Sequence, residues 1–166
     1  NVEVISSYEE AQLSLNSCEN YIKKINNSGL IFDIGGGSTE LTCFDNNKKI
    51  LNTSSISYGV INLAEKKEVY GNEFVKNQLN SHFQLFRNDE FKDRKNHNLT
   101  AIGSCSTVTT LCAVYQNLKF FNLKKIEGYR MDKEQLYNVS DFIQNSSKEK
   151  LLKTPCIGSK YQLLLC

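Results

Sequence analysis

The stretch GLIFDIGGGSTELTCF, residues 29–44, sets three consecutive glycines between two apolar runs, with Asp33 before them and Glu40 after. Glycine lets backbone approach a ligand closely and admits positive φ, so successive N–H groups at Gly35, Gly36 and Gly37 can converge on an anion. Ser38 and Thr39 add hydroxyl donors. A plain hairpin turn needs only one or two glycines, and a third costs backbone entropy that a turn alone does not require. The pattern therefore favours phosphate. Two carboxylates beside a phosphate repel it unless a hard cation such as Mg²⁺ lies between them. Taken singly, Asp33 reads as a turn-capping residue and Glu40 as a solvent-facing strand residue. Taken with the glycines, both read as positions that hold a metal or order water.

Two other glycine motifs are excluded. A P-loop needs Gly-Lys-Ser/Thr leading into a helix, and no lysine follows here. The dinucleotide fingerprint also needs a helix after its glycines, whereas TELTCF alternates like a strand. A strand, a phosphate turn and a second strand form the device of the actin-like ATPase architecture.

The elements that must position this turn follow from periodicity. Val2–Ile5 alternates like a strand. Ser6 and Ser7, each with a glutamate three residues on (Glu9, Glu10), predict a capping box opening a helix to about Ile25. Leu30–Ile34, Thr39–Phe44 and Ile50–Ser57 read as a three-stranded antiparallel meander, with a turn at 45–48. A helical region broken near Gly71 extends to about Phe86, and 87–97 reads as a charged loop. Leu99–Gly103 predicts a strand, Thr107–Asn117 an apolar helix, and Met131–Gln144 an amphipathic helix capped by Asp132. Residues 153–158 read as a linker before a last apolar helix. The order of elements is an α/β pattern with a mixed sheet.

Bulk properties narrow the classes. The 166 residues allow one ordinary domain, and no run reaches the ~20 apolar residues of a membrane span. A net charge of +2 is too mild to argue for nucleic acid, and the lysine pairs at 23–24, 48–49, 66–67 and 124–125 read as surface solubility. The six cysteines show no metal spacing with each other or with His82 and His97. They read as small buried hydrophobes of a reducing, cytoplasmic setting. The first residues lack Met and an export signal, and the last ones stop inside an apolar run; the expectation is a fragment of a longer protein.

Several segments, in order, resemble the Ppx/GppA (exopolyphosphatase/guanosine-pentaphosphate phosphohydrolase) family. LIFDIGGGSTEL is nearly its D-I-G-G-G-S-T-E-L signature and is specific. EVISSYEEAQL, SISYGVINL, AIGSCSTVTTLCAV and IEGYRMDKEQL are similar to supporting segments. The resemblance implies an actin-like, ribonuclease-H-like fold with a mixed sheet, a β-meander and flanking helices. It also implies an incomplete chain, with 1–27 ending the first lobe and 28–166 forming a truncated second lobe. Implied too is Mg²⁺-assisted hydrolysis of the terminal phosphoanhydride of inorganic polyphosphate, or of pppGpp to ppGpp. Glu10 takes the place of the base that orients water, Asp33 and Glu40 the metal positions. Gly35, Gly36, Gly37 and Ser38, with Ser104, Ser106 and Thr107 of a second turn, take the phosphate contacts. Expected partners are polyphosphate or guanosine penta- and tetraphosphate, without nucleic acid or membrane; a homodimer of the full-length protein is allowed.

The chain departs from the pattern at four positions. Gln12 and Asn62 replace arginines that could grip phosphate bidentately, and Cys105–Ser106 replaces a glycine pair. Cys105 has no histidine base or partner motif to make it a nucleophile. These departures keep a second expectation open, a non-catalytic phosphate- or nucleotide-binding module. An actin-like ATPase or sugar kinase shares the architecture but fits the two acidic segments less well. The 166 residues alone are expected to show little activity.

Overall fold

The fold is that of a computed structural model, which describes residues 3–25, 27–91 and 100–158. The chain forms two compact units, Asn1–Ser104 and Cys105–Cys166.

In the first unit, Ser6 opens α1 (Ser7–Ser17) as its N-cap. Its hydroxyl accepts from the Glu9 N–H, and the Glu9 carboxylate accepts from the Ser6 N–H at 2.8 Å, so the capping box is closed. The predicted single helix is two, α1 and the short α2 (Glu19–Ile22), separated at Cys18. Residues 3–5 are not a strand: no partner strand reaches them among the described residues, and Val4 is 96% exposed. A β-like sequence without a neighbour has nothing to pair its backbone with.

The sheet has the order β3-β2-β1-β4. Strands β1 (Gly29–Ile34), β2 (Thr39–Phe44) and β3 (Ile50–Ile56) form the expected antiparallel meander. Strand β4 (Thr100–Gly103) joins β1 in parallel, which makes the sheet mixed as expected. Leu15, Cys18, Ile22 and Ile25 pack with Ile31 and Phe44 into one apolar cluster, so α1 and α2 cover the sheet face that carries those two side chains. Gly29 is required there, since a Cβ would stand 2.3 Å from the tip of the Phe44 ring.

Two helices follow, α3 (Val60–Tyr70) and α4 (Asn72–Phe91), separated by Gly71 at φ 83°. The start of the expected charged loop, residues 87–91, is helical; residues 92–97 lie outside the described set.

The second unit packs α5 (Ser106–Tyr115), α6 (Leu123–Ile126), α7 (Lys133–Asn145) and α8 (Lys148–Lys153). Val114, Val139, Ile143, Leu151 and Ile157 form its main core. Asp132 caps α7 as expected, accepting from the Gln135 N–H at 2.8 Å. Helix α8, which the sequence did not predict, runs up to the first residue of the predicted linker, Lys153, and the predicted last helix lies outside the described residues. Among the described residues no helix is long and apolar enough to cross a membrane.

Candidate functional site

The glycine bend joins β1 to β2, and Gly35 N–H donates to the Ser38 carbonyl at 2.9 Å. None of Gly35, Gly36 and Gly37 takes a left-handed φ. The sequence expectation of positive φ is therefore corrected: Gly35 and Gly36 serve close approach, and Gly37 does not. A Cβ on Gly36 would press on Ile61 at 3.0 Å, while one on Gly37 would meet nothing within 4 Å. Gly37 faces open space.

The first turn of α3 is seated on this bend. Val60 N–H donates to the Gly35 carbonyl and Ile61 N–H to the Gly36 carbonyl, both at 2.9 Å. The Asn62 amide donates to the Gly37 carbonyl at 2.7 Å. The orphan donors that every helix start must satisfy are thus met by the bend's carbonyls. Gly59 allows the approach, because a Cβ there would lie 2.5 Å from the Gly35 and Gly36 carbonyl oxygens. Thr39 ties the same corner, its hydroxyl donating to the Tyr58 carbonyl at 2.7 Å. Among the described residues the N–H groups of Gly36, Gly37 and Ser38 have no acceptor. They are free to bind an anion.

Asp33 and Glu40 are direct partners across β1 and β2. Directly opposed residues stand with Cβ atoms about 5 Å apart on one face, and two uncompensated negative charges there are unfavourable. By the two-residue strand period, that face is the one carrying Ile31 and Phe44, which α1 and α2 cover. Each acid has a hydroxyl partner: Ser104 donates to Asp33 Oδ2 at 3.1 Å and Ser55 to Glu40 Oε1 at 3.2 Å. Ser104 is held in place by its own N–H, which donates to the Phe32 carbonyl at 3.1 Å and continues the β1–β4 pairing. No cluster of three or more His, Cys, Asp or Glu able to hold a metal occurs among the described residues. An all-oxygen pair still suits Mg²⁺, which binds through one or two carboxylates and completes its shell with waters and substrate phosphate.

Glu10 lies in the first turn of α1, exposed. The sequence offered both Glu9 and Glu10 as capping residues. Glu9 takes that role; the Glu10 N–H donates to the Ser6 carbonyl at 3.0 Å, and its carboxylate has no hydrogen-bond or ion-pair partner among the described residues. The Ser6 N–H and hydroxyl hold the Glu9 carboxyl below the usual carboxylate range. Helix α1 packs on β2 and β3 and so belongs to the layer over the acid pair's face.

Ser106 and Thr107 begin α5 in the second unit. Cys105 is its N-cap, buried and without a side-chain capping bond. The hydroxyls of Thr109 and Thr110 turn back to the Ser106 carbonyl at 3.0 and 2.8 Å. An open hollow of about 420 Å³ includes Ser106, Thr109 and Thr110 along with Phe121 and Ile157. An apolar cavity of about 250 Å³ beside Val114 and Phe142 contains none of the candidate residues. Gln12, at one expected arginine position, donates to the Tyr8 hydroxyl at 3.2 Å. Sequence reasoning missed Gly59 and Ser55, and read Asn62 only as a lost charge. A glycine followed three residues later by Asn, at a strand-to-helix junction, was the available signal for Asn62.

The model of the Ppx/GppA phosphatase family matches residues 1–155. A bifunctional 3-dehydroquinate synthase/phosphatase of Fusobacterium nucleatum is 27% identical over 157 residues, covering 90% of this chain and 23% of that protein. Among solved structures, an exopolyphosphatase-like protein superposes with a TM-score of 0.77 at 22% identity, over 98% of this chain and 52% of that one. An exopolyphosphatase from Cytophaga hutchinsonii gives 0.75 at 20% identity, over 99% and 54%. A family member from Aquifex aeolicus gives 0.71 at 22%, over 99% and 53%. The chain thus spans about half the length of the solved relatives, and its fold is their actin-like α/β type. The chain belongs to the Ppx/GppA phosphatase family.

Proposed function

We propose that the full-length protein hydrolyses the terminal phosphoanhydride of inorganic polyphosphate, with pppGpp as the sibling substrate. The observation that carries this reading is the row of three unpaired N–H groups at Gly36, Gly37 and Ser38 beside the opposed Asp33–Glu40 pair. The amides would bind the oxygens of a terminal phosphate, a backbone nest with no side-chain entropy to lose. Asp33 and Glu40 would hold Mg²⁺, with Ser104 and Ser55 orienting their carboxylates. When bound, the cation neutralises phosphate charge and polarises the bond to be broken. The Glu10 carboxylate, with no competing partner among the described residues, would accept a proton from the attacking water. Phosphoanhydride cleavage needs this positioning and charge neutralisation more than covalent help. Ser106 and Thr107 stay phosphate-binding candidates on the sequence pattern alone. The lobe division, 1–27 and 28–166, belongs to the same proposal.

The test is phosphate release from long-chain polyphosphate by the full-length protein, read by malachite green. Release that depends on a divalent metal and is lost in Glu10→Ala, with folding intact, supports the reading; unchanged release in the variant removes Glu10 from it. The missing arginines at Gln12 and Asn62 favour one second reading, a phosphate-binding module without turnover. It predicts polyphosphate binding and no release under any divalent metal.

A further inference from the structure

We infer that Asn62 is a positioning residue for phosphate, acting through the peptide planes of the glycine bend and not by touching the ligand. The inference rests on the proposal that the bend binds phosphate. In a trans peptide the carbonyl and the following N–H point in opposite directions, and there is no cis peptide among the described residues. Three successive peptides of the bend have their carbonyls fixed from one side. Val60 N–H holds Gly35, Ile61 N–H holds Gly36, and the Asn62 amide holds Gly37. The N–H groups that follow, at Gly36, Gly37 and Ser38, are therefore turned to the other side together. Helix backbone sets the first two planes. The Gly37–Ser38 plane is set by a side chain, and that side chain is Asn62.

Asn62 itself has little freedom. Its Oδ1 accepts from the Gly59 N–H at 2.8 Å, which fixes which end of the amide is which, and its Nδ2 also donates to the Ser57 carbonyl at 3.2 Å. An arginine at this position, as the resemblance leads one to expect, could reach phosphate by its own charge. Here the same position contributes a neutral strut under the bend. The predicted gain is orientation of one amide, Ser38 N–H, in place of a charged contact.

The experiment titrates inorganic phosphate into the full-length protein and follows the ¹⁵N–¹H signals of Gly36, Gly37 and Ser38, in wild type, Asn62→Asp and Asn62→Ser. Asn62→Asp is isosteric and keeps the acceptor for Gly59 N–H, but presents oxygen to the Gly37 carbonyl. Asn62→Ser loses the reach to Gly37 without adding charge. Expected is a phosphate affinity about tenfold weaker in both variants, the size of one well-placed hydrogen bond. The Ser38 signal should lose most of its response while both variants stay folded, with a melting midpoint lowered only by the hydrogen bonds that Asn62 gives up. Wild-type affinity in Asn62→Ser overturns the inference, because a weakening confined to Asn62→Asp is only charge repulsion. Unfolding of both variants overturns it too, since the side chain then serves the fold. If the three wild-type amides ignore phosphate, the binding proposal beneath it fails, whatever the variants do.

Discussion

The bend at Gly35–Ser38 and the start of α5 at Cys105–Thr107 are both candidate phosphate turns, and they are built differently. In the first, every carbonyl of Gly35, Gly36 and Gly37 is pinned by α3, Gly37 faces open space, and three N–H groups are left without acceptors. In the second, a buried cysteine without a capping bond leads into a helix whose own threonines turn their hydroxyls inward to its carbonyls. The first presents an array of donors fixed by tertiary contacts. The second offers the general positive end of a helix.

The largest expected effect separates holding from chemistry. From its proposed role as base, Glu10→Ala in the full-length protein should lower polyphosphate turnover by about 10²–10⁴-fold, measured as phosphate release, while phosphate binding stays at the wild-type level. Weakened binding of similar size would place Glu10 among the ligand's contacts instead. Next comes Gly59→Ala, whose added methyl must push α3 off the bend. A loss of about 1–3 kcal/mol of stability, as overpacking usually costs, should appear as a lower melting midpoint together with weak phosphate affinity. Gly37→Ala makes the matching control, with no internal clash: its midpoint should hold while affinity falls.

Smaller effects are expected at the second turn. Thr107→Val should weaken phosphate binding by less than Gly59→Ala does, in the same titration; the reverse ranking would make the start of α5 the stronger phosphate site. Ser104→Ala removes a hydrogen bond to Asp33 in an exposed setting, for about 0.5–1.5 kcal/mol at most, and should raise the divalent-metal concentration needed for half-maximal turnover. The smallest effect concerns pH. The Glu9 carboxyl is held low by Ser6 in the folded chain, so its contribution is present above the unfolded carboxylate pKa and disappears as pH falls through the folded one. Wild type should lose helicity at α1 over that acid window, seen by circular dichroism, and Glu9→Gln should show no such step.

Much of the sheet was legible because its signals are local. Alternation in TELTCF and the Asp45–Lys48 turn place β2 and its neighbour without tertiary information, and Lys48 takes the left-handed φ a turn requires. Residues 3–5 carry the same kind of alternation and form no strand, since strand formation needs a partner that sequence does not reveal. Helices α6 and α8 escaped notice because each is short, and the caps at Asn122 and Ser147 lack the glutamate that closes a capping box. At the site, the acids and glycines were visible by type. Their facing register was not, since it depends on how β1 and β2 align. The tie from Asn62 to Gly37 spans 25 residues and two strands, which no local pattern encodes.

The seating of α3 on the glycine bend has a mechanical consequence. A hairpin tip is usually the part of a sheet that moves first, yet this one is bolted to a helix that packs in turn on α4. Any displacement of the tip becomes a displacement of that helix pair, so slowed amide exchange along α3 would serve as a remote gauge of occupancy at the bend.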